Sequence, residues 1–86
     1  MSEGAGPPVS WLVVERGWKV VDAEGAEVGR VHDVVGDSGE DIFNGLTISH
    51  GLLGRTRYVP AEAVAEITDG QVRLSLREEE VGELDE

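Results

Sequence analysis

Two histidines, His32 and His50, and a run of carboxylates at Asp37, Glu40 and Asp41 are the residues here whose types could carry acid–base or metal chemistry. A histidine titrates near neutral pH and ligates metals, and carboxylates grouped in a glycine-bearing loop suit calcium. Their spacing favours neither use. His32 and Asp33 are adjacent on a predicted strand, so their side chains point to opposite faces and cannot grip one ion together. His50 opens the Gly51-Leu52-Leu53-Gly54 connection and reads as a turn residue. The acids of 37–41 do not follow the twelve-residue calcium-loop pattern, and the segment reads as a structural loop, with ion binding left as the alternative. Gly25-x-x-x-Gly29 follows a strand but opens no helix, so it is no dinucleotide fingerprint, and neither a phosphate-binding loop nor a nucleophile elbow occurs. The expectation is a protein that is no enzyme, with no catalytic residue, no metal and no cofactor.

Size and charge narrow the remaining classes. A chain of 86 residues suits one domain. Its core can hold about 15 to 20 apolar side chains. It has no cysteine, which removes disulfides and thiolate metal sites and agrees with a reducing compartment. The opening MSEGAGPPVS carries neither a basic nor an apolar signal region, and the longest apolar run, Trp11 to Val14, is too short for a bilayer. A soluble, cytoplasmic protein without membrane insertion is expected. Eighteen acids against seven bases give a net charge of −11, and six of the acids fall in Glu78–Glu86. Residues 1–77 alone hold twelve acids and seven bases, a balance of −5. Phosphate recognition needs clustered Lys and Arg, so no nucleic-acid partner is expected. Arg55, Arg57, Arg73 and Arg77 are the one set that could line an edge.

The elements that must position these residues read as strands. Residues 1–10 are rich in Gly and Pro and form a flexible lead-in. Trp11–Val14 and Trp18–Asp22 are short apolar strands, and Ala23–Ala26 is a turn in which Gly25 takes positive φ. Glu27–Val35 is a strand whose Val28 and Val31 are out of phase, which predicts a bulge with positive φ at Gly29. After the loop 36–41, Ile42–Ser49 alternates with Ile42, Leu46 and Ile48 on one side, and Asn44-Gly45 is an internal kink. Arg55–Val59 follows, then one helical turn from Pro60 to Ala63. Val64–Thr68 and Gln71–Leu76 form a hairpin across a type I′ turn at Asp69-Gly70, with Val72, Leu74 and Leu76 inward. The acidic tail, 78–86, is expected to fray and to be dispensable for folding. Short strands at intervals of about ten residues predict a mostly β fold, a small, partly open β-barrel of about six strands with one short helical turn.

The segment Trp18-Lys19-Val20-Val21-Asp22-Ala23-Glu24-Gly25-Ala26-Glu27-Val28-Gly29-Arg30-Val31-His32-Asp33-Val34-Val35 resembles the opening hairpin of the PRC-barrel family, with its D-x-x-G and x-x-V-G-x-V-x-D pattern. The stretch Gly51 to Val64 resembles that family's following strand with its V-P-x-x-x-V turn. The resemblance spans about residues 17–76, within a domain drawn as 11–77. It implies a compact β-barrel acting as a non-catalytic adaptor, most similar in architecture to the family's short stand-alone members. Asp33 matches the family's aspartate after the V-x position, and a structural role capping a nearby turn follows from that match.

The leading function is therefore a protein–protein interaction module that self-associates as a homodimer. A barrel binding a small ligand or divalent ion is one alternative, and an accessory factor in ribosome or RNA processing is another. Leu52 and Leu53, adjacent and apolar in a connection that polar residues normally fill, are the candidate interface, with Arg55 and Arg57 offsetting the acidic charge beside them. Gly25, Gly29, Asp33, Gly51, Gly54, Pro60 and Gly70 are assigned structural duties. Neither the partner nor the process is legible in these residues.

Overall fold

Val28, Val31 and Val34 recur every third residue, a spacing that no regular strand can keep on one face. The computed structural model, which describes residues 8–51 and 54–85, resolves the conflict with two bulges. The first strands are β1 (Lys19–Val21) and β2 (Glu27–Asp37). Val20 pairs with Gly29 and Val21 with Glu27, which leaves Val28 as the extra residue. Further along β2, Val31 faces Ile48 and Asp33 faces Thr47, which leaves His32 extra. Each bulge resets the phase, so Val28 and Val31 are buried and Val34 packs against them. The expected break near Gly29 is there, but Gly29 does not take positive φ. Glycine is required for another reason: a Cβ there would run into the carbonyl oxygen of Ser49 on the next strand.

The remaining strands are β3 (Ile42–His50), β4 (Arg55–Pro60), β5 (Val64–Thr68) and β6 (Gln71–Leu74). They form one sheet in the order β4-β3-β2-β1-β6-β5, antiparallel except where β1 lies parallel to β6. The sheet curls into a partly open barrel, the mostly β fold that the residue pattern predicts. Its core is Val20, Val31, Leu46, Ile48, Val59, Val72 and Leu74, all at or near zero exposure. Gly25 and Gly70 take positive φ, 90° and 83°, at their turns.

Several local expectations are corrected. Trp11–Val13 is a 3-10 turn rather than a strand. The Ser10 hydroxyl accepts the Leu12 N–H at 3.1 Å and starts the turn. Ile42 is 48% exposed instead of sharing the inner face with Leu46 and Ile48. The cause is Asn44: Gly45 faces Val35 and Phe43 faces Gly36, so Asn44 is extra and the phase flips beyond it. The kink placed at Asn44-Gly45 is this bulge. Pro60 stands just before the helical turn, which covers Ala61–Ala63. The Asp69-Gly70 turn is not type I′, because Asp69 lacks the positive φ which that turn requires. Pro8 and Val9, read as lead-in, lie against β5: Pro8 bridges Thr68, and the Val9 N–H donates to the Ile67 carbonyl at 2.8 Å.

The largest correction is at the C-terminus. Glu78–Val81 forms a one-turn helix, α1, and Val81 is fully buried in the core, with Leu84 packed against it. The Glu80 carboxylate accepts the Arg77 N–H at 2.8 Å, and acids in a first helical turn suit its exposed N–H groups. Beyond α1, the Tyr58 N–H donates to the Asp85 carbonyl at 2.7 Å and Arg57 Nη1 to the Leu84 carbonyl at 2.9 Å. Composition suggested a frayed tail because only Val81 and Leu84 are apolar there. Those two residues are the ones that dock.

Two stability predictions follow. Truncation after Arg77 should cost about 2 kcal/mol or more, the scale of uncovering one buried valine and its surroundings. Urea unfolding reads the loss, and an unchanged midpoint contradicts the docked tail. Gly29→Ala should be destabilising by about 1–3 kcal/mol, because strands β2 and β3 must separate to admit the methyl group. A parent-like unfolding midpoint for this variant would show that the approach to Ser49 is loose.

Candidate functional site

Trp11 is the residue around which the open side of the barrel is built. Its ring stacks on Phe43 with centroids 5.3 Å apart and planes 16° from parallel, and its Nε1 donates to the Asp41 carboxylate at 3.0 Å. A Cβ on Gly36 would meet the same indole, so glycine at this point of β2 gives the ring its seat. The 3-10 turn is thereby clamped to the tip of the β2–β3 hairpin. One consequence is the exposure of its other two residues, Leu12 at 51% and Val13 at 49%. Val35 and Ile42 at the same hairpin tip are also exposed. Among the described residues these four are the large apolar side chains left in solvent, and they share one end of the molecule.

A groove of about 490 Å³ opens beside this cluster. Pro8, Val9 and Trp11 form one bank, and Val64, Ala65 and Ile67 of β5 form the other, with Phe43 and Ala61 completing the apolar lining. Its one polar pair is Glu66 and Arg73, whose side chains meet at 3.2 Å across the β5–β6 ladder. The lining side chains are mostly apolar, yet polar atoms supply nearly half of the exposed surface, and the groove is shallow and open to solvent.

The residues singled out by chemistry lie elsewhere and are not brought together. His32 is an exposed bulge residue whose carbonyl accepts from Arg16 at 2.9 Å. His50 ends β3, half-buried and near Gly82. Asp37 accepts the Gly39 N–H at 3.0 Å and so shapes its own turn, while Asp41, with φ of 55°, holds Trp11. Among the described residues no three His, Asp or Glu side chains are grouped to hold a metal ion. Asp33 accepts the N–H of Val34 at 2.9 Å, a local backbone contact.

The interface candidates fare unevenly. Leu52 and Leu53 lie outside the described residues, flanked by Gly51 and Gly54 with φ of 82° and 65°. Arg55 is exposed at the start of β4. Arg57 is half-buried on β4, where its guanidinium holds the Leu84 carbonyl and its Nε is buried. Of the four arginines that could line an edge, Arg73 is paired with Glu66 and Arg57 with the Leu84 carbonyl.

One functional-looking residue escaped the sequence reading. Asp22 is buried, and its Oδ1 accepts the N–H groups of Ala26 and Glu24, both at 2.9 Å. The Ala26 N–H does most to hold this carboxyl below the usual carboxylate range; burial opposes it, and the N–H groups of Glu24, Glu78 and Gly25 add to it. Because Glu78 begins α1, Asp22 joins the β1–β2 turn to the C-terminal helix. The D-x-x-G spacing of Asp22 and Gly25 was the available signal.

Residues 14–82 match a family model, a span that includes Asp22, the β5 bank of the groove and Val81. The chain belongs to the family described as "Uncharacterized protein conserved in bacteria (DUF2171)". The DUF2171 match begins after Trp11, so the Pro8–Trp11 bank lies outside the matched span. No curated protein matches the chain. Among the described residues no helix is long and apolar enough to cross a membrane.

Asp22 yields a prediction with a definite sign. A carboxyl with a depressed folded pKa adds stability above its unfolded pKa and loses it as pH falls through the folded value. The stability gap between parent and Asp22→Asn should therefore be widest at neutral pH and shrink in acid below the ordinary carboxylate range. Denaturant titrations at several pH values measure the gap; a constant one would mean that the charge of Asp22 does not matter.

Proposed function

We propose that this chain is a non-catalytic protein-binding module of the cytoplasm, an adaptor of the kind that its resemblance to the PRC-barrel family implies. The observation that carries this reading is the groove between Trp11 and β5, lined mostly by apolar side chains, with the exposed Leu12, Val13, Val35 and Ile42 next in sequence or across the hairpin from its lining residues. Contiguous apolar surface at one end of a small domain is a docking surface by default, since its exposure costs solubility. The polar side chains that acid–base chemistry would need are scattered, or already accept hydrogen bonds from backbone N–H groups or from the Trp11 indole. Self-association would use the same end, and the acids at the hairpin tip oppose it by like-charge repulsion.

The absence of cysteine makes a direct test simple. Ala65→Cys, exposed on the β5 bank, and Thr56→Cys, exposed on β4, are each labelled with a photo-cross-linker and returned to the source cell. The Ala65 probe should yield a discrete protein adduct that the Thr56 probe does not. The same adducts from both probes, or none from Ala65, would remove the groove from consideration.

A further inference from the structure

The groove does not stand in neutral surroundings. Asp37, Glu40 and Asp41 sit at the hairpin tip beside Trp11, and Glu62 follows Ala61 on the opposite side. Inside the groove, Arg73 is matched by Glu66 at 3.2 Å, so its charge is already answered. Asp41 thus touches the groove through Trp11, Asp37 and Glu40 share its hairpin turn, Glu62 neighbours the lining residue Ala61, and the groove's own charges cancel, in a chain of net charge −11.

The acids of the C-terminal segment are a separate group. They cluster where Gly82 approaches His50, at the far end of β3 from Ile42. Eight residue steps along a strand correspond to about 27 Å. That exceeds the screening length of about 8 Å in physiological salt, so the tail contributes little to the field at the hairpin tip. The local acids set the field at the hairpin tip, whereas the Ala61–Val64 end lies nearer the start of the C-terminal segment, since the Ser75 N–H donates to the Ala63 carbonyl at 2.8 Å.

The chain's own backbone already occupies the strand edge beside the groove. Val9 donates its N–H to the Ile67 carbonyl, so backbone next to β5 lies extended, with Pro8 and Val9 forming one bank. We infer that the groove takes an extended segment of another protein that carries apolar side chains interspersed with Lys or Arg. Its apolar residues lie between Trp11 and Ile67, and its cations meet the rim at Asp37, Glu40 and Glu62. This rests on the reading of the groove as a protein-docking site and adds the chemistry of the partner. A second copy of this chain would instead bring two acidic rims together.

The experiment uses the full chain and three short peptides: leucine alternating with lysine, leucine alternating with glutamate, and glycine alternating with lysine. Fluorescence anisotropy gives affinities, amide chemical shifts locate binding, and sedimentation reports mass. The leucine–lysine peptide should bind at least about tenfold tighter than either control, as expected when apolar burial and charge act together. Shifts should fall on Val9, Phe43 and Ile67. The pair Glu40→Lys with Glu62→Lys should weaken binding about fivefold or more, whereas Glu79→Lys with Glu83→Lys should leave it within about twofold. Equal affinity for the glycine–lysine peptide overturns the inference, as does a response confined to the tail variants. Groove shifts with the leucine–glutamate peptide, or a dimer that buries the groove, overturn the basic partner yet keep the groove as a docking site. Silence of the groove towards every peptide, in a chain that stays monomeric, overturns both.

Discussion

A sheet of six strands that curls without closing has two edges, and each presents backbone N–H and C=O groups that invite pairing with another chain. This protein covers both edges with its own ends. On β5 the cover is Pro8 and Val9, where proline offers no N–H to a further strand. On β4 it is the segment after α1, reached by the Tyr58 N–H and the Arg57 guanidinium. The two covers differ in depth. The C-terminal one drives Val81 into the core and is tied by Asp22 to the β1–β2 turn, so it is part of the fold. The N-terminal one rests on the Trp11–Phe43 stack, the Trp11–Asp41 hydrogen bond and the contacts of Pro8 and Val9 with β5, and leaves a groove beside it.

That difference divides the molecule by role. At the α1 end, acids surround a buried valine and satisfy backbone donors, and their chemistry is spent on holding the chain together. At the hairpin-tip end, Leu12, Val13, Val35 and Ile42 remain in solvent, adjoining in sequence the groove-lining Trp11 and Phe43 or facing them across the hairpin. A domain of this size has little apolar surface to spare, and the proposed docking role rests on the four large side chains exposed at this end.

Much of the fold was legible because period-two alternation survives where strands are regular. Val72 and Leu74 point inward on β6 as their pattern says. The misreadings cluster where one residue shifts the phase. Asn44 turned Ile42 outward, and the extra residues Val28 and His32 explain spacings that alternation alone cannot. Gly29 was rightly singled out, but for a φ it does not have; its reason is the nearness of Ser49, which no local pattern reports. The tail was misjudged from composition, since a single valine reaching the core outweighs the surrounding acids. The groove was illegible because it joins residues from 8–11, 43 and 61–73, which only the curl of the sheet brings together.

The central claim is that the exposed end around Trp11 serves binding and contributes little to stability. Leu12→Ser combined with Ile42→Ser tests it most directly, since both side chains are about half exposed and outside the core. The measurement is thermal melting of the double variant beside the yield of the partner adduct from the Ala65 probe. The account predicts a melting temperature within about 2 °C of the parent, because exposed substitutions are usually near neutral, together with loss of the adduct. A variant that melts like the parent and still forms the adduct in full would contradict it.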